Sequence, residues 1–312
     1  MSRILVIGSL NLDMIVNVDH TPVAGETILS DEMQMIPGGK GGNQACAAGR
    51  LGADVTMLGA VGEDLYADLQ IKSLKENGVD VCHLIQRKDA STGMAIVTVN
   101  KEGDNSIIVV AGANFTLSEE DIEHNINLIE ESSIVVLQME IPLKTVVYAA
   151  RRAKELGKMV ILDPAPAPLD FPEELYGYVD IIKPNETELS MLTGTKDIKK
   201  NLLQASNQLR AYGVKHVIVT LGGEGVYINS EDAGIVEVPA IKVKVMDTTA
   251  AGDSFTAGLA FMLSKGNSLE EGVMFANAVA ALVVTKKGAQ SSMPDYNEVV
   301  QTLKATKLVK VI

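Results

Sequence analysis

The chain is poor in the residues that several kinds of chemistry need. Aromatic residues make up 4% of its 312 positions and tryptophan is absent, which speaks against a pocket that stacks a nucleobase between rings. Cysteine occurs twice, at Cys46 in a segment that reads as helix and at Cys82 in one that reads as the start of a strand. Two thiols outside any Cys-x-x-Cys pair do not make a disulfide framework for a chain of this length. The histidines, His20, His83, His124 and His216, are scattered without ligand spacing, so no zinc site is expected. Basic residues are in deficit: the formal charge is −13 and no basic stripe offsets it, which argues against nucleic acid as a partner. The longest apolar run, Ala278 to Val284, is too short to span a bilayer. No charged region followed by a long apolar stretch precedes the first strand, so a soluble cytoplasmic protein is expected, without membrane association. A Walker A loop, a Gly-x-Gly-x-x-Gly fingerprint after the first strand and a Gly-x-Ser-x-Gly elbow are also missing.

What is present is a rhythm. Hydrophobic residues make up 46% of the chain, enough for a packed core, and short β-branched runs alternate with helical stretches. Strands are expected at 4–8, 55–58, 134–138, 160–163, 181–182 and 217–221, and helices at 43–51, 65–77, 143–156, 186–193 and 199–212. This alternation predicts an α/β fold with a mostly parallel, doubly wound sheet flanked by helices on both faces. Runs such as Val135-Val136-Leu137 are continuously apolar, as buried parallel strands are. Two stretches break the pattern. Residues 14–19 alternate apolar and polar, and 94–99 with 106–110 read as a hairpin closed by residues 101–105. They predict a small β-sheet lid built from insertions at roughly 14–37 and 92–112. No linker or repeat divides the chain, so residues 1–312 read as a single domain, mainly helical from Gly252 onward.

Ligands of open α/β sheets bind beyond the carboxyl ends of the strands, so the residues just after each strand carry the functional reading. Asn11 and Asp13, two apart, face the same way in extended backbone and suit a polyhydroxylated ligand; they equally suit a turn. Gly38-Gly39-Lys40-Gly41-Gly42-Asn43 lets main chain approach a ligand closely, or forms a flexible turn with Asn43 as helix cap. Glu140 stands at the ligand edge of the sheet or simply starts the next helix. Asn185 and Glu188 put an amide and a carboxylate on one helix face, fit for hydrated Mg²⁺ or for a capping box. Thr220-Leu221-Gly222-Gly223-Glu224-Gly225 admits a nucleotide or makes a tight turn. The sharpest signal is Asp247-Thr248-Thr249-Ala250-Ala251-Gly252-Asp253. Small residues at a helix start leave amides free for a transferring phosphoryl group, with Asp253 placed as a modest base.

These segments, Gly38–Asn43 and Asp247–Asp253 above all, resemble the ribokinase-like family of sugar and nucleoside kinases, and the resemblance runs from Gly8 to Pro294. It implies an ATP-dependent phosphotransferase, with D-ribose phosphorylated on its 5-hydroxyl and Asp253 as base. It implies that Asn11, Asp13, Gly39, Lys40, Gly41, Gly42, Asn43 and Glu140 hold the sugar. Asn185, the loop from Thr220 to Gly225 and Asn277 would contact ATP. Asn185 and Glu188 match an Asn-x-x-Glu motif associated with Mg²⁺. Ala250, Ala251 and Gly252 match an anion hole. Asp247, Thr249, Val283, Lys286, Gly288 and Ser292 match a monovalent-cation (K⁺) site formed mostly by main-chain carbonyls. The Ala250-Ala251-Gly252 form is the one associated with the family's ribose kinases, whereas the broad family carries Gly at position 250. A homodimer paired through the lid strands is also implied. The alternatives are a kinase for deoxyribose, fructose or a nucleoside, and a non-catalytic sugar-binding protein on the same fold.

Overall fold

The computed structural model describes residues 2–102 and 104–306. Gly103 of the expected hairpin loop, and Met1 and residues 307–312 of the expected domain, lie outside the described residues. The first half of the chain contributes β1 (Arg3–Ile7), β2 (Asn11–Asn17), β3 (Met33–Gly38), α1 (Lys40–Arg50), β4 (Val55–Leu58), β5 (Ala60–Gly62) and α2 (Leu65–Glu76). Next come β6 (Val79–Asp80), β7 (Ile85–Arg87), β8 (Gly93–Val99), β9 (Asn105–Val110), α3 (Glu119–His124), α4 (Ile126–Glu131), β10 (Ser132–Leu137) and α5 (Leu143–Glu155). The second half holds β11 (Met159–Leu162), α6 (Glu173–Tyr176), β12 (Ile181–Ile182), α7 (Glu186–Thr193), α8 (Ile198–Ala211) and β13 (His216–Thr220). It ends with β14 (Gly225–Ser230), β15 (Gly234–Pro239), α9 (Ala251–Ser264), α10 (Leu269–Val283) and α11 (Tyr296–Ala305).

A nine-stranded sheet in the order β15-β14-β13-β12-β11-β10-β1-β4-β6 forms the middle layer. It is parallel from β6 to β13, and β14 and β15 extend it antiparallel at one edge. Its strands are apolar on both faces because both are covered. Ile4, Val6, Val136 and Ile161 pack with Ala45 of α1, Leu74 of α2, Phe255 of α9 and Phe275 of α10. Their neighbours Leu5, Ile7, Val135 and Val160 pack with Ile129 of α4, Val146 of α5 and Leu209 of α8. Each of the Val, Leu, Ile and Phe side chains contributes about 1.5–3 kcal/mol through burial, so the alternation of faces along β1 fixes its register between two helical layers. The doubly wound expectation is met.

The sheet order reverses between β1 and β10, so a crevice opens beyond their carboxyl ends. Above it stands a second sheet of four strands, β3-β2-β8-β9. The pairs β2–β3 and β8–β9 are antiparallel, the second as the expected hairpin, but β2 and β8 run parallel, with Asn11 opposite Gly93. Parallel pairing follows from where these strands begin: both leave the crevice side by side and run outward. Asn11 and Gly93, and not residues 14 and 94, are therefore the first residues of these strands. Cys82 lies in an exposed turn between β6 and β7 and starts no strand. No helix among the described residues is long and apolar enough to cross a membrane.

Candidate active site

The crevice is closed by α1, whose start is built from close backbone packing. Gly39 caps the helix with φ 82 and ψ 137, a conformation that favours glycine. A Cβ on Gly41 would lie 2.7 Å from the carbonyl carbon of Gly8 and 2.7 Å from the amide nitrogen of Ser9. The Gly42 amide donates to the Ser9 carbonyl at 2.9 Å and the Lys40 amide to Glu140 Oε2 at 3.1 Å. Glycine thus lets α1 sit against the end of β1. Asn43 lies one turn inside the helix and is no cap: its Nδ2 donates to Asp253 Oδ2 at 3.0 Å.

Beneath the four-stranded sheet, Asn11, Asp13 and Glu140 converge. Asn114 Nδ2 donates to Asn11 Oδ1 at 2.7 Å, while Asn114 Oδ1 accepts the Leu10 amide at 2.8 Å. Ser9 Oγ donates to Glu140 Oε2 at 2.6 Å. Burial, then the nearby Glu140 and Asp253 carboxylates, push the Asp13 carboxyl up to about 7. A side chain on Gly38 would run into that carboxyl. These are hydrogen-bonding groups of both kinds on a partly dry floor, suited to a ligand rich in hydroxyls.

The raised Asp13 value has a testable consequence. Between about pH 4 and pH 7 the folded protein holds a proton that the unfolded chain has released, so stability falls as pH rises through that window. Denaturant titration of ligand-free protein at pH 5 and pH 7.5 is expected to show the higher stability at pH 5. Asp13→Asn is expected to flatten the difference; an unchanged pH slope in that variant would rule Asp13 out as its source.

On the other side of Asp253 lies a cleft of ≈ 640 Å³, within the range of small-molecule sites. Lys40, Lys183, Glu188, Thr220, Gly252 and Asn277 are among the residues that line it. Helix α9 opens onto it. Ala250 is the N-cap in left-handed backbone, φ 59 and ψ 11, and its side chain makes no cap bond. The Ala251 amide is 3.2 Å from the Thr248 carbonyl, and the Ser254 amide donates to the Ala250 carbonyl at 2.9 Å. The amides of Gly252 and Asp253 have no acceptor among the described residues, as expected in a first helical turn. A positive helix end with free amides is an arrangement that favours an anion, and the 6% exposed Asp253 carboxyl stands beside it.

The capping reading of Asn185 and Glu188 is realised: Asn185 Oδ1 accepts the Glu188 amide and Glu188 Oε2 accepts the Asn185 amide, each at 2.8 Å. Both residues also line the cleft. Burial and then Asp163 raise the Glu188 carboxyl above its ordinary value, so a cation beside it would be welcome. Lys40 is subject to opposing effects. Burial favours its neutral form, but the carboxylates of Asp253, Asp163, Glu140 and Glu188 prevail and hold the ammonium charged. In the 220–225 loop, Thr220, Gly222, Gly223 and Gly225 line the cleft. Leu221 packs into the core and Glu224 turns outward to Lys199, so these two side chains do not face it. Asn277 Nδ2 donates to the Pro239 carbonyl at 2.8 Å.

Behind the anion site, Asp247 Oδ1 accepts the Thr249 amide at 2.9 Å and Oδ2 accepts the Gly288 amide at 2.9 Å. Burial alone would raise the Asp247 carboxyl, but the Thr249 hydroxyl, which donates to Oδ1 at 2.6 Å, together with these amides holds it below its usual range. The Lys286 side chain instead pairs with Glu298 at 3.1 Å, Ser292 Oγ donates to the Ala289 carbonyl at 2.7 Å, and the Val283 carbonyl takes the Lys286 amide at 3.1 Å.

Several polar residues of this region carried no sequence reading. Asp163 and Lys183, at the carboxyl ends of β11 and β12, pair at 3.0 Å and are both buried. Their position after a strand was the available signal. Gln138, buried just past β10, offered the same signal, whereas Gln44, Thr256 and Asn114 are also buried here and nothing local in sequence marked them.

The model of the pfkB family of carbohydrate kinases matches residues 1–296. A ribokinase of Haemophilus influenzae is 38% identical over 96% of this chain and 97% of that protein. A deoxyribokinase of Salmonella typhi is 36% identical over 95% of this chain and 96% of its own length. Among solved structures, ribokinase from Thermotoga maritima superposes with a TM-score of 0.89 at 40% identity, covering 97% of this chain and 100% of that one. Arabidopsis thaliana ribokinase complexed with ribose and ATP gives a TM-score of 0.90 at 37% identity, over 97% and 99% of the two chains.

Proposed function

The chain belongs to the pfkB family of carbohydrate kinases, and from that premise we infer that it transfers the γ-phosphoryl group of ATP to the 5-hydroxyl of D-ribose. One observation carries this reading: a buried carboxylate and free amides share the first turn of α9, where the cleft meets the floor formed by Asn11, Asp13 and Glu140. Asn11, Asp13, Glu140 and the Gly39–Asn43 helix start hold the sugar, and Asp253 takes the proton of its 5-hydroxyl. The Gly252 and Asp253 amides, with Lys40, stabilise charge on the phosphoryl group in flight. Such catalysis rests on position and electrostatics more than on strong bases, because the transition state is loose. Asn185, Thr220, the glycines of the 222–225 loop and Asn277 receive the nucleotide.

The donor set of Asn185 and Glu188 fits hydrated Mg²⁺, because the half-buried Glu188, its carboxyl raised by burial and by Asp163, favours a positive neighbour and uses only Oε2 in the cap. When bound, Mg²⁺ would neutralise phosphate charge. The ionised Asp247, with Thr249 and Gly288 beside it, fits a monovalent cation completed by carbonyls from Val283, Lys286 and Ser292. The four-stranded sheet serves as lid, and its exposed Met33, Met35, Ile96 and Ile108, which share one side of it, are the face on which a second copy pairs; sedimentation reads that pairing directly. The unpaired thiols of Cys46 and Cys82 accord with a reducing cytoplasm.

Release of ADP is the deciding measurement, made with ribose, deoxyribose, fructose and a nucleoside, each with and without Mg²⁺ and K⁺. Ribose with both ions is expected to give the highest kcat/KM. A higher value for deoxyribose would move the assignment to that sugar, and sugar binding without ADP from any of them would make the protein a non-catalytic binder.

A further inference from the structure

Asp253 is held by neighbours that are themselves held. Asn43 Nδ2 reaches one of its oxygens and Gln44 Nε2 reaches the other, Oδ1, at 3.2 Å. The same Gln44 Nε2 donates to Asp163 Oδ2 at 3.0 Å, so one amide bridges two carboxylates. Gln138 Nε2 donates to Gln44 Oε1 at 2.7 Å and fixes which end of that amide faces Asp253. Asp163 Oδ2 also takes Thr256 Oγ1 at 3.2 Å and the Lys183 ammonium at 3.0 Å. Lys183 Nζ in turn lies 3.3 Å from the Gly252 carbonyl at the anion site.

We propose that Lys183 is a positioning residue for phosphoryl transfer: by tying Asp163 to the Gly252 carbonyl it holds the acceptor that orients the Gln44 amide, which aims the Asp253 carboxylate at the sugar hydroxyl. The inference rests on the reading of Asp253 as the base. Asp163 is 1% exposed and its Oδ1 has no partner. Without the lysine, Asp163 loses the partner that ties it to the Gly252 carbonyl, and its carboxyl group is free to turn within the pocket. Oδ2 then no longer stands as a fixed acceptor for Gln44. The amide, held at its oxygen by Gln138 alone, no longer keeps its N–H on Oδ1 of Asp253 in one place. The damage reaches the base through hydrogen bonds and leaves the sugar floor of Asn11 and Asp13, on other elements, unaltered.

Three variants test this by steady-state ADP release, ribose calorimetry and thermal melting. Lys183→Met and Gln44→Met are each expected to lower kcat about 100-fold, the scale of a misplaced reacting group, with the ribose Kd within about threefold of wild type. Asp163→Asn with Lys183→Met removes both charges, keeps a partner for Gln44, and is expected to return kcat to within about tenfold of wild type. Gln44→Met introduces no buried charge, so it remains informative if Lys183→Met does not fold. Wild-type kcat in Lys183→Met or Gln44→Met, with only the melting temperature lowered, makes the network merely structural and overturns the proposal. So does a double variant as slow as Lys183→Met, which would mean that the ammonium acts on the phosphoryl group itself. Wild-type protein separates the two levels: no ADP from ribose there defeats the reaction assignment, whereas an active wild type with active variants defeats the positioning role alone.

Discussion

Asp253→Asn is expected to bind ribose nearly as well as wild type and to release ADP about 10²–10⁴-fold more slowly, the range for loss of a positioned base. The side chain is buried and gripped at both oxygens, by Asn43 and by Gln44, so the amide enters the same space with little change of shape. What disappears is an acceptor for the hydroxyl proton. One of the two new amide edges also meets a donor where the carboxylate met it as acceptor, which adds to the loss in kcat. The amides of Gly252 and Asp253 remain, so residual turnover above the uncatalysed rate is expected. Turnover within tenfold of wild type, beside unchanged ribose calorimetry, would end the case for Asp253 as base.

Gly41→Ala is the second large effect. Its methyl would sit 2.8 Å from the Ser9 carbonyl oxygen as well as against Gly8. None of these atoms belongs to a flexible side chain, so the helix itself must retreat from the end of β1. Overpacking of this kind costs about 1–3 kcal/mol of stability. The functional cost is larger, because Asn43 and Gln44 ride on that helix and a shift of about 1 Å at reacting groups costs about 100-fold in rate. Gly42, whose added Cβ would meet only side-chain atoms at 3.1 Å and beyond, is expected to tolerate alanine far better. Equal kcat/KM for ribose in the two alanine variants would show that close approach at Gly41 has no bearing on catalysis.

The layered fold was legible because burial on both faces writes itself into sequence: β1, β10 and β11 are continuous apolar runs, and no other arrangement hides them. The helix start at Ala251 was legible for a local reason, since one crowded with Ala250, Ala251 and Gly252 exposes amides wherever it is placed. Its details were not. Ala251 spends its amide on Thr248, whereas the amides of Ala250, Gly252 and Asp253 have no acceptor among the described residues. The parallel pairing of β2 with β8 was hidden because strand partners distant in sequence leave no periodic trace. Asp163 and Lys183 stood at strand ends and were open to the same reasoning that singled out Glu140. Gln44 and Thr256 were not, for each is one polar residue within a buried helix, and only the tertiary fold reveals what it faces.

The residues that grip Asp253 come from the far end of the chain: 210 positions separate it from Asn43. No early, local piece of structure contains a working centre, and contacts this remote close late because the loop between them must first be ordered. Recovery of turnover during refolding is therefore a stricter gauge of completed assembly than recovery of helix or of compactness.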